Sequence, residues 1–457
     1  MPLKKLSFKK ILTTFIIISM CVTPILSSAS AKSFDINYQS KYASLNIPNS
    51  YLIAGVPYVS QETGYYCAYA SATMIFKYLG INTSLSEVLY ITGVGYTTGY
   101  KGIENGSLGV GVGICREFNF ISSLYNLSRK TWYLNVDGKP KDVYWSEYWI
   151  RVKQNISRNI PVRTSVDSLY LKSLRDIFNI NDQIFDKILK IISMNSSHVI
   201  VITGYNESNN TVCFNDPIIG VFGCPENGTY VWMNLSDYKR ALFSAADCAI
   251  KYNLNKHIMV ETYQKISDPP SKYIIFEKAH QRNIERMKGN LSAYKENDVI
   301  DNMSKTFHNL FGVKSLERLK EDFKPGIKSR FLTMLFYKKQ NIGIRFMVNL
   351  CKLCKPDFVP DRICEEQFIK PYLIIIMDKN YNLQYLHDNI DLLPINKKEI
   401  TLFEKEMENW TELNEHYNAF VDKGLRLCNI KGLFSIYQMG LILDNIIEIQ
   451  REIVSEQ

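Results

Sequence analysis

The segment from Cys67 to Tyr78 is the feature that most constrains what this chain can fold into. Small and apolar residues recur there at intervals of three and four, as Cys67, Ala70, Ser71, Met74, Ile75 and Tyr78. This spacing predicts an α-helix, and Gly80 is a typical signal for its end. A cysteine that opens a helix lies beside unpaired backbone N–H groups, which stabilise a thiolate. The pattern therefore predicts a reactive thiol at a helix N-terminus.

Gln61 lies six residues before Cys67, on the loop that enters the predicted helix. When a thiolate attacks a carbonyl carbon, negative charge builds up on the carbonyl oxygen and requires hydrogen-bond donors. A glutamine amide can donate to that oxygen together with the backbone N–H of Cys67. We therefore expect Gln61 to be an oxyanion donor.

A second segment predicts a β-hairpin that carries the remaining groups. Residues 199–203 are all β-branched, residues 206–210 favour a turn, and residues 211–214 read as a returning strand. If the turn is centred on Glu207, His198 lies opposite Asp216, about 5 Å away at Cβ. The predicted roles are Cys67 as nucleophile, His198 as general base and then acid, and Asp216 as the residue that orients the imidazole.

Two stretches carry a resemblance to a known family. The sequences VPYVSQETGYYCAYASATMIFKYLG around Cys67 and SHVIVITGYNESNNTVCFNDP around His198 resemble the double-glycine-cleaving bacteriocin-processing peptidases of the papain superfamily. The residues that match the family pattern are Gln61, Cys67, Tyr78, Gly80, His198, Gly204, Tyr205, Asn215, Asp216 and Pro217. The resemblance covers residues ~50 to ~260.

The resemblance implies an α+β fold with an N-terminal catalytic helix and an antiparallel sheet, and it implies that Cys67, His198, Asp216 and Gln61 carry the activity. It also implies peptide-bond cleavage through an acyl-enzyme on a peptide or protein substrate, without metal or organic cofactor. Two departures limit it. Ala68 replaces the usual glycine after the nucleophile, and the chain lacks the GxxxxGK[ST] loop of the exporters that carry this peptidase domain.

Two other functions stay open at this point. A papain-fold acyltransferase or amidase would use the same thioester, and the acyltransferase would pass the acyl group to an amine instead of water. A domain that only binds peptides or cell-surface material would leave the thiol idle. The complete set of four residues argues against a pure binder, because binding alone needs no nucleophile, base and oxyanion donor together.

The first thirty residues predict export. Four lysines precede an apolar run from Ile11 to Leu26, and Ala29-Ser30-Ala31 is a small-x-small cleavage site. We expect residues 1–31 to be a signal peptide and the mature protein to be secreted, extracellular or in the cell envelope, without stable membrane insertion. Loss of the signal peptide lowers the formal charge from +9 to +5, because four lysines and no acids are removed. No basic run predicts nucleic-acid binding.

Export also affects how the cysteines are interpreted. The chain has ten, and loss of Cys21 with the signal peptide leaves an odd number. An oxidising compartment permits disulfides. Cys213 and Cys224 flank the turn at Asp216, where a bridge would brace the aspartate. Cys351 and Cys354 form a CxxC pair, but without a second such pair they give only a weak zinc signal.

Composition then divides the chain. Asp268-Pro269-Pro270-Ser271 reads as a linker, which predicts a papain-like domain over residues 32–265 and a mostly helical domain of unknown function over 266–457. Helical periodicity is clearest over residues 276–296, 400–423 and 433–453, whereas Leu373 to Met377 fits either a buried strand or a helix. The second domain is expected to pack helices or to bind a protein partner.

Overall fold

The computed structural model describes residues 47–62, 66–96, 98–100, 118–135, 141–173, 197–223, 225–251, 256–290, 310–323, 371–423 and 430–456. The described residues from Pro48 onward fall in one compact unit. The predicted signal peptide lies outside these ranges. The same is true of Cys115, Cys224, Cys351, Cys354, Cys364 and Cys428.

A seven-stranded antiparallel sheet forms the centre of the N-terminal region. Its strands, in chain order, are β1 (Ser50–Leu52), β3 (Leu127–Asn135), β4 (Val162–Asp167), β5 (Ser197–Asn206), β6 (Thr211–Asn215), β7 (Val231–Asn234) and β8 (Lys256–Lys265). They are ordered β3-β8-β4-β5-β6-β7, and β1 pairs with β5 beyond the end of β4. A separate pair joins β2 (Gly99–Tyr100) to β9 (Leu310–Phe311).

Among the described residues, five helices accompany this sheet: α1 (Cys67–Tyr78), α2 (Leu85–Ile91), α3 (Phe118–Leu124), α4 (Lys141–Ile156) and α5 (Leu235–Lys251). Helix α1 spans the predicted residues and ends as expected, because Gly80 adopts φ +80° and the N–H of Ile81 bonds the Phe76 carbonyl at 3.0 Å. The residues from Cys67 to Phe76 are all buried, not one face alone. The helix is covered by the sheet and by neighbouring helices, so its sequence needs no polar face.

The predicted hairpin is present as β5 and β6, but its predicted register was wrong. Asn206 pairs with Thr211, and Val201 pairs with Asn215 after an irregularity between Ile202 and Gly204. The turn is therefore centred between residues 208 and 209 instead of on Glu207. Asp216 follows the end of β6, opposite the β5 residue two places after His198, and is its diagonal neighbour.

The C-terminal region is helical, as its periodicity predicts. Its described helices are α6 (Lys272–Met287), α7 (Val313–Phe323), α8 (Pro371–Asp388), α9 (Lys397–Lys423) and α10 (Ile430–Ser455). The ambiguous segment at Leu373 to Met377 belongs to α8. A core of their apolar faces contains Leu316, Tyr372, Trp410, Leu443 and Ile446, all fully buried. The α+β fold class expected from the sequence is confirmed.

The two regions share contacts across the predicted linker. The Asn283 amide of α6 donates to the Tyr90 carbonyl at 2.9 Å, and Arg286 donates to the Thr92 carbonyl at 2.7 Å. The predicted boundary between residues 265 and 266 stays a prediction. Within the described part of the chain, no helix has the length and apolar character needed to cross a membrane.

Candidate active site

Cys67 is the first residue of α1 and is buried, with 7% of its surface exposed. The Tyr66 carbonyl before it accepts the N–H groups of Tyr69 at 3.0 Å and Ala70 at 2.8 Å. The N-terminal N–H groups of a helix have no partner within the helix and carry the positive end of its dipole. The position therefore favours a thiolate at Cys67.

His198 is the second residue of β5 and is 3% exposed. Its Nε2 lies 2.7 Å from Oδ1 of Asp216, and the same ring has a side-chain hydrogen bond with Cys67. Since Nε2 is engaged by the carboxylate, Nδ1 is the ring nitrogen left for the thiol. The structure thus brings together three residues that are 131 and 18 positions apart in the sequence.

Opposing effects act on the pKa of His198. Burial alone would lower it, because an imidazolium loses water. The Asp216 carboxylate, its hydrogen bond and the contact with Cys67 outweigh burial and raise the pKa to about 10. The imidazole is therefore held in its protonated form at neutral pH, as a thiolate–imidazolium pair requires.

Asp216 makes further hydrogen bonds besides the one to His198, and these hold it in place. Its Oδ2 accepts the Ser173 hydroxyl, and its Oδ1 also accepts the Ile218 N–H at 3.2 Å, capping a short 3-10 helix that begins at Pro217. Its own N–H donates to the Gly228 carbonyl at 2.8 Å. A Cβ at Gly228 would lie 2.6 Å from the Asp216 carbonyl oxygen, so this close approach requires glycine.

Gln61 is joined to the same turn. Its backbone N–H donates to the Pro217 carbonyl at 3.0 Å, and the residue is fully buried. Tyr58 adds a second link, because its hydroxyl accepts the Gly220 N–H at 2.8 Å and donates to the Asp216 carbonyl at 3.1 Å. The loop that carries the predicted oxyanion donor is thus tied to the residue that orients His198.

A buried ion cluster lies between α1 and the sheet. The Arg163 guanidinium donates to Ser71 Oγ at 3.0 Å, one turn after Cys67, and pairs with Glu261. Arg129 pairs with the other carboxylate oxygen at 3.1 Å. Burial would raise the pKa of Glu261, but the two guanidinium groups lower it to about 2. Glu261 therefore stays ionised and holds Arg163, which braces the helix through Ser71.

The sequence predicts Cys67, His198, Asp216 and Gln61 as site residues, and the structure places all four in one neighbourhood. The sequence does not predict Ser173, Tyr58 or the Arg163–Glu261 pair. Arg163 follows Val162 and precedes Thr164, and Glu261 lies likewise between Val260 and Thr262, which is a pattern that solvent-facing sheet surfaces also show. Ser173 follows β4 without any motif. Only folding reveals these contacts.

Cys213 does not form the predicted bridge to Cys224. It is a free, fully buried thiol on β6, where the Thr203 hydroxyl donates to its sulfur at 3.5 Å. Burial raises the pKa of this thiol to about 11, so it is unreactive at neutral pH. Among the residues that the structure describes, no cluster of three or more His, Cys, Asp or Glu side chains is suited to a metal ion.

Comparison with known families agrees with this geometry. Residues 53–223 match the Peptidase_C39 like family, a range that contains Gln61, Cys67, His198 and Asp216. This supports the resemblance stated from the sequence and a cysteine-peptidase-like N-terminal region. The C-terminal region matches no family. Searches of curated proteins and of solved structures found no match.

Proposed function

We propose that this protein hydrolyses peptide bonds through a thioester on Cys67, in a Cys67–His198–Asp216 triad with Gln61 as oxyanion donor. One observation carries the proposal. A single imidazole contacts both the thiol at a helix N-terminus and, through Nε2, a carboxylate at 2.7 Å. This is the arrangement that nucleophilic catalysis by a thiol needs.

Acylation begins from the thiolate–imidazolium pair. The Cys67 sulfur attacks the carbonyl carbon, and the electron pair of the C=O bond moves to the oxygen. Gln61 and the Cys67 N–H donate to that oxygen. When the tetrahedral intermediate collapses, the C–N bond breaks and His198 gives its proton to the leaving amine. The thioester and a neutral imidazole remain.

Deacylation reverses the roles. The neutral His198 imidazole takes a proton from water, and the resulting hydroxide adds to the thioester carbon. Collapse of the second intermediate breaks the C–S bond and releases a carboxylic acid. Cys67 returns as thiolate beside the imidazolium. Asp216 fixes the ring through both steps, and Ser173 and the Ile218 N–H fix Asp216.

The substrate is proposed to be a peptide or protein outside the cell. This rests on the predicted signal peptide over residues 1–31, which lies outside the described residues. Expression in a secreting bacterial host, followed by N-terminal sequencing, tests it. A mature chain that begins at Lys32 in the medium or envelope supports export, and a chain that retains residues 1–31 in the cytoplasm contradicts it.

Alkylation of the protein by iodoacetamide at pH 7, followed by intact mass, tests the reactive thiol. We expect one site to react fast. That reaction is absent in Cys67→Ala, and in His198→Ala it is at least about 100-fold slower, because the imidazolium no longer stabilises the thiolate. Cys213→Ala is the matched control and reacts as the wild type does. A slow alkylation rate that is the same in the wild type, Cys67→Ala and His198→Ala contradicts the proposal.

A further inference from the structure

Helix α8 of the C-terminal region reaches the residue that precedes the nucleophile. The Tyr66 hydroxyl donates to Oδ1 of Asp378 at 2.5 Å. Tyr66 is 1% exposed and Asp378 is 7% exposed. This hydrogen bond therefore joins two regions that the sequence separates by 312 residues, and it ends one residue before Cys67.

The same helix makes a second contact at the oxyanion loop. Tyr381, nearly one turn beyond Asp378, donates its hydroxyl to the Glu62 carboxylate. Its ring also meets the Tyr66 ring edge-on, with centroids 5.7 Å apart. Glu62 follows Gln61 directly and adopts φ 60°, a left-handed conformation that non-glycine residues rarely hold without support.

We propose that α8 is a positioning element for the active site: Asp378 acts on Cys67 through Tyr66, and Tyr381 acts on Gln61 through Glu62. The inference rests on the proposed function. It assigns α8 a part in catalysis, in which Asp378 and Tyr381 act through Tyr66 and Glu62. Asp378 and Tyr381 are positioning residues in this account.

The anchoring of α8 makes this role physically sound. Lys379 donates to the Gly95 carbonyl at 2.9 Å and pairs with Glu406 of α9 at 2.7 Å, and both side chains of this pair are buried. The helix is thus fixed to the N-terminal region on one side and to α9 on the other. A support that is itself fixed can hold a catalytic loop to within fractions of an ångström.

Two tyrosine changes separate the two contacts. Alkylation by iodoacetamide depends on the thiolate alone, whereas hydrolysis of an ester also needs the oxyanion donor. In the full chain we expect Tyr381→Phe to lower kcat for hippuric acid p-nitrophenyl ester about tenfold, with KM and the alkylation rate nearly unchanged. Tyr66→Phe is expected to lower both kcat and the alkylation rate.

Tyr125→Phe is the matched control. The Tyr125 hydroxyl donates to the buried Glu87 carboxylate at 2.9 Å. The change therefore removes the same kind of hydrogen bond at a place away from the nucleophile. It is expected to lower Tm but to leave kcat and alkylation unchanged. If Tyr66→Phe and Tyr381→Phe equal this control in both rates, the positioning role is overturned.

A second pair of variants covers the case in which a tyrosine change prevents folding. Asp378→Asn keeps an acceptor oxygen for Tyr66 and is expected to retain kcat within about threefold, whereas Asp378→Ala loses about tenfold. Equal kcat in these two variants overturns the inference. A wild type without fast alkylation or ester hydrolysis would instead overturn the proposed function, so the two failures are distinguishable.

Discussion

The pKa of His198 governs how the site responds to pH. Its value of about 10 lies above the ordinary 6.5 because Asp216 and Cys67 outweigh burial. The imidazolium pair therefore stabilises the folded protein fully below about pH 6.5, and this contribution is lost as the pH rises through about 10. The same titration sets the alkaline limit of the proposed hydrolysis, which needs imidazolium as acid.

Asp216→Asn tests that dependence. The amide keeps the shape of the side chain but removes the charge that favours the imidazolium, so the pKa of His198 falls towards 6.5. We expect the alkaline limb of kcat/KM to move down from about pH 10 and the rate at pH 8 to fall about tenfold or more. A pH–rate profile of ester hydrolysis measures this. An unshifted alkaline limb would contradict the assigned role of Asp216.

Ser173→Ala removes one hydrogen bond from Asp216 Oδ2 and leaves the carboxylate in place. A hydrogen bond to a charged group contributes about 1.5–3 kcal/mol, so we expect kcat/KM to fall at least about tenfold. Ser146→Ala is the control, because its hydroxyl bonds only the Asp142 carbonyl on an exposed helix face. Equal activity in both variants would mean that Asp216 needs no support from Ser173.

At this scale the sequence predicts the residues with distinctive chemistry and misses those that support them. A cysteine at a helix start, a histidine before a β-branched run and Asn-Asp-Pro are local patterns. Ser173 precedes Asp216 by 43 residues, and serine has no spacing that distinguishes a support from a turn residue. Its contact is a product of the tertiary fold.

Among the elements, the hairpin shows where sequence reasoning stops. The alternation of strand and turn residues predicts β5 and β6, but the register depends on where the turn closes and on the irregularity between Ile202 and Gly204. Neither follows from composition. Asp216 still reaches His198 because a diagonal neighbour on the same face lies within reach of an aspartate side chain.

Glu261→Gln tests the cluster that braces α1 against the sheet. The change removes the carboxylate charge that pairs with the buried Arg163 and Arg129, so we expect a loss of about 3–5 kcal/mol in the free energy of unfolding. Chemical denaturation at pH 7 measures it. Glu207→Gln is the control, since its pair with Lys153 is partly exposed and contributes less than about 1 kcal/mol. Similar losses in both variants would contradict the bracing role.

The stabilising contribution of the same cluster is expected to decrease in acid. The pKa of Glu261 is about 2 in the folded protein against an ordinary 4.5. Its contribution to stability is therefore complete above about pH 4.5 and is lost as the pH falls towards 2. The difference in unfolding free energy between wild type and Glu261→Gln is expected to shrink over that range.

For the whole molecule, periodicity predicts the C-terminal helices but not the surface on which they pack. Tyr90 and Tyr96 of the N-terminal region meet Tyr385 and Phe403 with ring centroids 5.2 and 4.9 Å apart. Such contacts cover the apolar faces of amphipathic helices. The sequence pattern of an apolar face does not specify its partner, because many different surfaces could cover it. The proline pair predicts a linker, yet a linker does not determine how closely the flanking regions associate.

Asp378→Asn tests this association through pH. Burial raises the pKa of Asp378 to about 7 from an ordinary 3.8, against the lowering effects of Tyr66 and Lys379. The folded protein therefore holds an extra proton between about pH 4 and 7, and its stability falls as the pH rises through that range. We expect the free energy of unfolding of Asp378→Asn, relative to that of the wild type, to be higher at pH 8 than at pH 4. Urea denaturation at the two pH values measures this difference. A difference that does not change with pH would contradict a buried carboxylate.

Cys67 is proposed to form a covalent acyl intermediate, which rapid mixing with hippuric acid p-nitrophenyl ester detects. We predict a burst of about one p-nitrophenol per protein. After acid quenching and digestion, the peptide that contains Cys67 is expected to carry a hippuryl group. Hydroxylamine is expected to remove this group. Cys67→Ala shows neither. No burst and no adduct, or an adduct of equal yield in Cys67→Ala, would mean that Cys67 is not the nucleophile.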